Sequence, residues 1–336
     1  MKGKERIILR ADANDHIATG HVFRLLALAE ILKPTHEVLF CTQTTNQQIL
    51  HTIATQVDQL IILQEQFEYC LPNNKELNAE IPFDLQHIIQ EHDIVVTDGY
   101  WFREKYQLSI KKLGVKLVMI DDLANQFFYA NAVINHAPGV KEENYSYDSN
   151  TKLYLGLDYA LLRESFYKLS KQTKKIDEIN KVFICFGGGT YDCIIENIIR
   201  SLQLINTIKE IHLLSPSDKQ FKDSNNVYYY SNLSSEEVSD LMWKCHMSIC
   251  SASTVSLESF FSKMFIILGL TADNQKNIHR GIIKHKNVSS IGDWNSTSVE
   301  ILTQKFQAAI RNWQTSDVSF DYSFNSNNIV NIIKTL

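Results

Sequence analysis

No apolar run in this 336-residue chain approaches the roughly 18 residues that a membrane-spanning helix needs, so no membrane anchor is expected. No long basic run occurs either. Lys and Arg number 33 against 38 Asp and Glu, giving a formal net charge of −5. That balance argues against a general nucleic-acid binder. The opening Met1-Lys2-Gly3-Lys4-Glu5 is charged but leads directly into a strand-like stretch, with no apolar signal core behind it. The expectation is a soluble, cytoplasmic protein that acts as a monomer.

Metal and redox signatures are missing as well. The six cysteines are Cys41, Cys70, Cys185, Cys193, Cys245 and Cys250, and no two have Cys-x-x-Cys spacing. Cys41, Cys185 and Cys250 lie in or beside apolar runs, where reduced cysteine serves as a small hydrophobe. A disulfide framework is not expected in this compartment and at this size. The eleven His residues form neither a His-x-x-x-His nor a His-Glu-x-x-His pattern. No Gly-x-Ser-x-Gly elbow supports Ser-His-Asp hydrolysis. Asp121-Asp122 are adjacent acids without a His or third acid at helpful spacing, so no metal site and no cofactor are expected.

What is present is a core: 44% of the residues are hydrophobic, enough for two domains of ordinary size. Short apolar strands alternate with helices along the first half. Strands are expected at 6–9, 37–41, 58–63, 93–97, 116–120 and 132–135, and helices at 21–32, 83–91 and 105–112. A less regular stretch from 136 to about 180 contains Pro138-Gly139 and a Lys-rich run. The alternation then restarts. Strands are expected at 181–186, 210–214, 227–230, 247–251, 265–268 and 288–291. Helices are expected at 192–205, 236–244, after Ser253-Thr254 through 261, at 274–285 and at 299–313, with a short final helix at 329–336. No solenoid-period repeat occurs. This pattern predicts an α/β protein of two Rossmann-like, doubly wound domains facing a cleft. The boundaries read as 1–150, a linker at 151–179, and 180–336, with the final helix able to pack back on the N-terminal domain.

Ligands of such sheets bind outside the C-terminal strand ends, and the polar loops of this chain fall there. The most informative runs from Arg10 to Arg24 and joins the first strand to the first helix. Gly20 at the mouth of that helix lets a ligand approach backbone N–H groups that favour anions. His21 in the first turn is a titratable group beside them, and histidine is the commonest general base near neutral pH. A plain helix start with His21 capping or packing is the alternative. Gly187-Gly188-Gly189-Thr190 likewise follows a strand and permits close backbone approach to a phosphate, although it is neither a Walker A loop nor Gly-x-Gly-x-x-Gly. Ser251-Ala252-Ser253-Thr254 precedes a helix carrying Glu258. Hydroxyls and N–H groups there suit a diphosphate, and a carboxylate suits two ribose hydroxyls; an ordinary N-cap is the alternative. Asn274-Gln275 offers amides fitted to sugar hydroxyls, acetamido groups or phosphate, with capping by Asp273 as the other reading.

In this order the loops resemble those of the UDP-2,4-diacetamido-2,4,6-trideoxy-β-L-altropyranose hydrolases of pseudaminic acid biosynthesis. That family opens with Arg-x-Asp and Ile-Gly-x-Gly-His-x-x-Arg, here Arg10-Ala11-Asp12 and Ile17-Ala18-Thr19-Gly20-His21-Val22-Phe23-Arg24. Its Asp-His-Tyr appears as Asp98-Gly99-Tyr100, and its Ile-Asp-Asp as Ile120-Asp121-Asp122. Tyr-Ala-Leu-Leu-Arg-x-x-Phe is intact at 159–166, the Phe-Gly-Gly loop is Phe186-Gly187-Gly188, and the Ser-Ala-Ser element with its downstream acid is Ser251-Ala252-Ser253 with Glu258. Asn274-Gln275 completes the set, and the resemblance spans about residues 6 to 290. Two positions depart from the pattern: Ala18 stands for a Gly and Gly99 for a His, which removes a side chain beside the site.

The resemblance implies the two-domain GT-B architecture, similar to that of the peptidoglycan N-acetylglucosaminyltransferase. It also implies hydrolysis of a UDP-linked 2,4-diacetamido-2,4,6-trideoxyhexose at the anomeric carbon, with inversion. On it His21 is the expected base, with Tyr100 lining the sugar pocket and orienting water. Arg10, Asp12, Thr19, Gly20, Arg24, Gly187, Gly188, Ser253, Thr254, Glu258, Asn274 and Gln275 are the expected substrate contacts. UDP is a good leaving group, so a base and diphosphate stabilisation suffice where glycosidases also need an acid. A GT-B glycosyltransferase using a UDP-sugar donor, and a non-catalytic nucleotide-sugar binder, remain the alternatives.

Overall fold

Short runs of β-branched and apolar residues, buried on both faces, form the strands. The structure is a computed structural model describing residues 4–14, 19–64, 80–189, 191–217, 219–221, 225–296, 298–315 and 319–336. The sequence readings at Ile17, Ala18, Cys70 and Thr190 lie outside these residues. The chain divides into two units, 1–164 with 325–336, and 165–324.

In the first unit the order is β1 (Glu5–Arg10), α1 (Gly20–Leu32), β2 (His36–Thr42), α2 (Gln47–Gln56), β3 (Gln59–Ile62) and α3 (Phe83–Ile88). It continues with β4 (Ile94–Asp98), α4 (Glu104–Lys112), β5 (Lys116–Ile120), β6 (Phe127–Phe128), β7 (Ala132–Asn135), β8 (Ser146–Tyr147) and β9 (Lys152–Leu155). The main sheet has the order β3-β2-β1-β4-β5-β7-β9, and its recorded pairings are parallel. β4 is buried along its whole length, as a central parallel strand must be. α1 presses Leu25, Leu28, Ala29 and Leu32 into the core at 0% exposure. Truncating such a Leu to Ala typically costs about 2–5 kcal/mol.

β9 falls inside the stretch read as a connecting segment. It pairs in register with β7 from Ala132↔Lys152 to Asn135↔Leu155. The pattern hid it because it is four residues long, starts on an exposed Lys and is only half-buried at the sheet edge.

The helix α5 (Glu164–Ser170) begins at the boundary between the units. The second unit then runs β10 (Lys181–Cys185), α6 (Asp192–Gln203), β11 (Glu210–Leu214), β12 (Val227–Tyr230), α7 (Ser235–Lys244) and β13 (Met247–Ser251). After these come α8 (Thr254–Phe261), β14 (Phe265–Leu270), α9 (Lys276–Ile282), β15 (Val288–Asp293) and α10 (Val299–Gln314). The sheet order is β12-β11-β10-β13-β14-β15, again with parallel pairings. Ser234 and Glu237 form a capping box that starts α7, and Ser298 caps α10 through the N–H of Ile301. The final helix, α11 (Asn327–Lys334), belongs to the first unit. It buries Ile329, Ile332 and Ile333, and Asn328 Nδ2 donates to the carbonyl of Asp158 at 3.1 Å. Among the described residues no helix is long and apolar enough to cross a membrane.

Candidate functional site

Of four neighbouring strands of the first sheet, β1, β4 and β7 end on Arg10, Asp98 and Asn135, β5 is followed directly by Asp121-Asp122, and the first turn of α1 meets the end of β4. His21 lies in the first turn of α1, and its side chain is 10% exposed. Asp98, the last residue of β4, is fully buried, and its Oδ1 lies 2.6 Å from His21 Nδ1. Arg24 sits one turn beyond His21 on the same helix face. Its Nε donates to Asp98 Oδ2 and its Nη2 to Asp98 Oδ1, both at 2.6 Å. Burial alone would push the Asp98 carboxyl up, but the Arg24 guanidinium and His21 hold it below the ordinary carboxylate range. Asp98 is therefore an anion that can only accept, and the proton on this edge of the imidazole belongs to Nδ1. The 3.3 Å between Arg24 Nη2 and His21 Nδ1 then reflects two donors sharing one acceptor oxygen. Among the described residues no hydrogen bond reaches Nε2, which is left as the basic nitrogen.

Two half-exposed aromatic rings flank this imidazole edge-on. Tyr100 stands at 4.8 Å and Trp101 at 5.6 Å between centroids. The Tyr100 hydroxyl donates to Asp122 Oδ2 at 3.0 Å, and Arg24 Nη1 reaches the same oxygen at 3.4 Å. Asp121, beside it, turns inward: its Oδ2 accepts from the Ala124 N–H and from the Tyr145 hydroxyl, at 2.8 and 2.9 Å. Burial first, and Asp122 second, push the Asp121 carboxyl up to about 6. His136, just past β7, accepts from the Leu161 N–H at its Nδ1, 3.3 Å away. Burial first, and then Arg24, push His136 down to about 3, so this imidazole is neutral.

Arg10 and Asp12 have their side chains in the interior, 0% and 1% exposed, paired through Arg10 Nη1 and Asp12 Oδ1 at 2.5 Å. Asp12 Oδ1 also accepts from the Gln43 N–H at 2.6 Å and from Thr42 Oγ1 at 3.1 Å. The Arg10 guanidinium lies over the buried Phe102 ring, 5.2 Å from its centroid. Thr19 and Gly20 are at the surface, and a Cβ at Gly20 would meet nothing within 4 Å.

In the second unit the expected ligand loops follow β10, β13 and β14, three neighbours in the sheet. Gly187 adopts φ +79°, a conformation that favours glycine, and Gly188 is exposed. Ser253 is the N-cap residue of α8, yet its side chain makes no capping hydrogen bond. Its Oγ lies 2.9 Å from Ser251 Oγ instead. Thr254 and Glu258 are half-buried on α8, and Asn274 is exposed. Gln275 is buried, with Oε1 accepting from the Thr271 N–H and Nε2 donating to Thr271 Oγ1, both at 2.9 Å.

The structure thus brings His21, Arg24 and Tyr100 into one hydrogen-bonded group. Gly187, Gly188, Ser253, Thr254, Asn274 and Gln275 fall at adjacent strand ends of the other unit, with Glu258 a turn along α8. Sequence reasoning gave no role to Asp98, Trp101 or His136 and undervalued Asp122. An acid or His closing an apolar strand run was the available signal. Among the described residues no group of three or more His, Cys, Asp or Glu is arranged to hold a metal ion.

No family model matches the chain. It is 25% identical over 276 residues to the UDP-2,4-diacetamido-2,4,6-trideoxy-beta-L-altropyranose hydrolase of Campylobacter jejuni, covering 77% of this chain and 89% of that protein. An uncharacterized protein of Methanocaldococcus jannaschii is 22% identical over 301 residues, covering 83% of this chain and 58% of the relative. The spore coat polysaccharide biosynthesis protein SpsG of Bacillus subtilis is 23% identical over 206 residues, covering 61% and 57%. The chain therefore spans little more than half the length of two of these relatives. Among solved structures, MurG of Acinetobacter baumannii superposes with a TM-score of 0.63 at 13% identity, over 99% of this chain and 100% of that one. The spinosyn rhamnosyltransferase SpnG gives 0.66 at 10% identity, again over 99% and 100%. By sequence the chain is thus a relative of the C. jejuni UDP-diacetamido-trideoxy-altropyranose hydrolase, and its two parallel-sheet units have the fold of the GT-B glycosyltransferases.

Proposed function

We propose that this chain hydrolyses a UDP-linked 2,4-diacetamido-2,4,6-trideoxyhexose to UDP and the free sugar. The observation that carries the reading is the His21–Asp98 pair, backed by Arg24: it fixes one imidazole tautomer and directs the basic Nε2 away from the carboxylate. Nε2 takes a proton from water as the water oxygen bonds to the anomeric carbon. The bond from that carbon to the β-phosphate oxygen breaks on the opposite face, and its electron pair leaves with UDP, which inverts the centre. Asp98 compensates the positive charge that forms on the ring, as a buried carboxylate does behind other catalytic histidines. The Tyr100 hydroxyl spends its proton on Asp122, so its oxygen remains an acceptor able to orient the water.

The second unit is assigned to UDP. Ser253, Thr254 and the first turn of α8 offer hydroxyls and N–H groups to the diphosphate. Gly187 and Gly188 allow close backbone approach, and Glu258 suits the ribose hydroxyls. Asn274 is assigned to the diphosphate or sugar, whereas Gln275, engaged with Thr271, fixes the shape of that loop. Thr19 and Gly20 are assigned to the sugar side. Arg10 and Asp12, turned toward each other in the interior, tie the end of β1 to Thr42 and Gln43 at the end of β2.

The solved structures that share the fold include glycosyltransferases, and this favours one second reading, transfer of the sugar to an acceptor. Pure protein incubated with UDP-sugar and no acceptor separates the two. Release of UDP and free sugar, followed by anomeric NMR, supports hydrolysis. Binding without release rejects hydrolysis and leaves transfer or a non-catalytic nucleotide-sugar binder.

A further inference from the structure

The position where this chain has Gly99 is not open space. A Cβ built on Gly99 would stand 2.7 Å from Trp101 Cζ2, 2.8 Å from Trp101 Cε2 and 3.0 Å from Phe102 Cε2. Such approaches are well inside van der Waals contact, so any side chain at 99 requires its neighbours to move. Phe102 has little room to retreat, since it is fully buried and sits against the Arg10 guanidinium. The Trp101 indole packs against Phe102 with centroids 5.3 Å apart and meets the His21 imidazole edge-on, with an interplanar angle of 82°. Gly99 is thus the condition for an indole beside the catalytic histidine. Trp101 is partly exposed, whereas His21, which its indole meets, is nearly buried.

We propose that Trp101 is a sugar-contacting, specificity-determining residue, placed by Gly99, that offers an aromatic surface to an apolar patch of the hexose beside the anomeric carbon. The inference rests on the nucleotide-sugar reading of the His21 site. An indole recognises C–H and methyl groups and gives nothing to an isolated hydroxyl except at its N–H. The matching substrate class is a deoxygenated hexose, with a methyl or acylamino group where common hexoses carry hydroxyls.

The test compares the wild type with Trp101→Leu, Gly99→Ala and the double variant. Turnover is measured on a panel of UDP-2,4-diacetamido-2,4,6-trideoxyhexose stereoisomers and on UDP-N-acetylglucosamine, and calorimetry gives the Kd of each nucleotide sugar and of UDP alone. Trp101→Leu is expected to weaken binding of the deoxygenated sugars roughly 10-fold or more relative to UDP-N-acetylglucosamine. The UDP Kd should stay within about twofold, because the assigned UDP contacts lie in the other unit. Gly99→Ala should act in the same direction by displacing the indole, and the double variant should be no worse than Trp101→Leu alone. A folded Trp101→Leu protein with unchanged KM values and unchanged ranking of sugars overturns the proposal and leaves the hydrolase reading intact. If Trp101→Leu does not fold, an unchanged ranking in Gly99→Ala overturns it equally. A wild type that neither binds nor cleaves any UDP-sugar removes the reading of the site, and this inference falls with it.

Discussion

Oδ1 of Asp98 lies 2.6 Å from Nδ1 of His21, joining residues 77 positions apart in the chain. Neither is useful alone. A lone His on a first helical turn can rotate and hold its proton on either nitrogen. A lone buried Asp would take up a proton rather than stay charged. The Arg24 guanidinium, one turn from His21, keeps the carboxylate ionised, and the carboxylate fixes the ring. Helical spacing puts His21 and Arg24 on one face, so a single strand-end acid can bind both.

His21→Asn should abolish most turnover while leaving the Kd for UDP nearly unchanged. A general base typically contributes roughly 10²–10⁴-fold. Steady-state kinetics together with calorimetric titration of UDP reads both quantities. Near-normal kcat in a folded variant removes His21 from the role of base.

Asp98→Asn keeps the shape but removes the charge that holds both partners. Turnover is expected to fall by at least about 100-fold, because the amide no longer imposes the Nδ1–H tautomer. Stability should fall too, by up to roughly 3–5 kcal/mol, since Arg24 is left buried with only its longer 3.4 Å contact to Asp122 as counter-ion. Urea unfolding and kcat are measured on the same preparation. Full activity with lowered stability would mean that the pair is purely structural.

Asp121 gives a pH signature with a defined sign. Its folded value, raised to about 6 from an ordinary 3.8, means that the native state binds the proton more tightly than the unfolded chain does. The stabilisation from this protonation is fully present below about pH 4 and is lost as pH rises through about 6. Asp121→Asn should therefore gain stability relative to the wild type as pH rises from 4 to 7, by up to about 3 kcal/mol. His136 acts in the opposite sense, because its folded value lies below its ordinary one, at about 3. Its contribution is present above about pH 6.5 and is lost as pH falls, so the difference between variant and wild type isolates Asp121. Unfolding curves at pH 4, 5, 6 and 7 decide the matter, and a constant difference across that range rejects the assignment.

The alternation of strands and helices was legible because buried parallel strands such as Ile94–Asp98 are short apolar runs that close on polar residues. The loops at Gly20, Gly187, Ser253 and Asn274 were legible as polar turns that follow a strand run and open a helix. What sequence could not supply was pairing across the sheet. Nothing local tells Asp98 from Asp121, yet one holds the histidine and the other turns inward to Tyr145. Gly99 read as a lost side chain beside the site, and only the packing shows that the Trp101 indole fills the position. Gln275 read as a ligand contact, while its amide is engaged with Thr271. β9 escaped notice because an edge strand of four half-buried residues has no periodicity to read.

Glu258→Ala should raise the Kd for UDP while leaving the stability of the first unit unaffected. The expected loss is about 1.5–3 kcal/mol, the usual value for a hydrogen bond to a charged group. Amide hydrogen exchange with and without UDP checks the assignment independently. Protection around Ser253 and Thr254 supports it. Protection confined to the first turn of α1, near Gly20, would place the nucleotide on the wrong unit.

Catalysis is expected to be independent of divalent metal. In the proposed scheme the negative charge that develops on UDP is met by hydroxyls, N–H groups and the N-terminus of α8, and the water is activated by His21. No step calls for a Lewis acid. Asp121 and Asp122 are the adjacent acids at a strand end of the first unit, and their oxygens already receive the Tyr145, Ala124, Tyr100 and Arg24 donors. Recruiting them to a cation would break those bonds, whereas a metal that polarises a phosphate oxygen would contribute several kcal/mol to the rate. Dialysis against a chelator should therefore leave kcat within about twofold, because a loss of that size would slow the reaction by orders of magnitude. A large loss restored by Mg²⁺ or Mn²⁺ would refute the scheme and shift weight towards a metal-assisted transferase or pyrophosphatase. Asp121 and Asp122 would then be the first candidates for ligands, and Asp122→Asn should abolish the metal response.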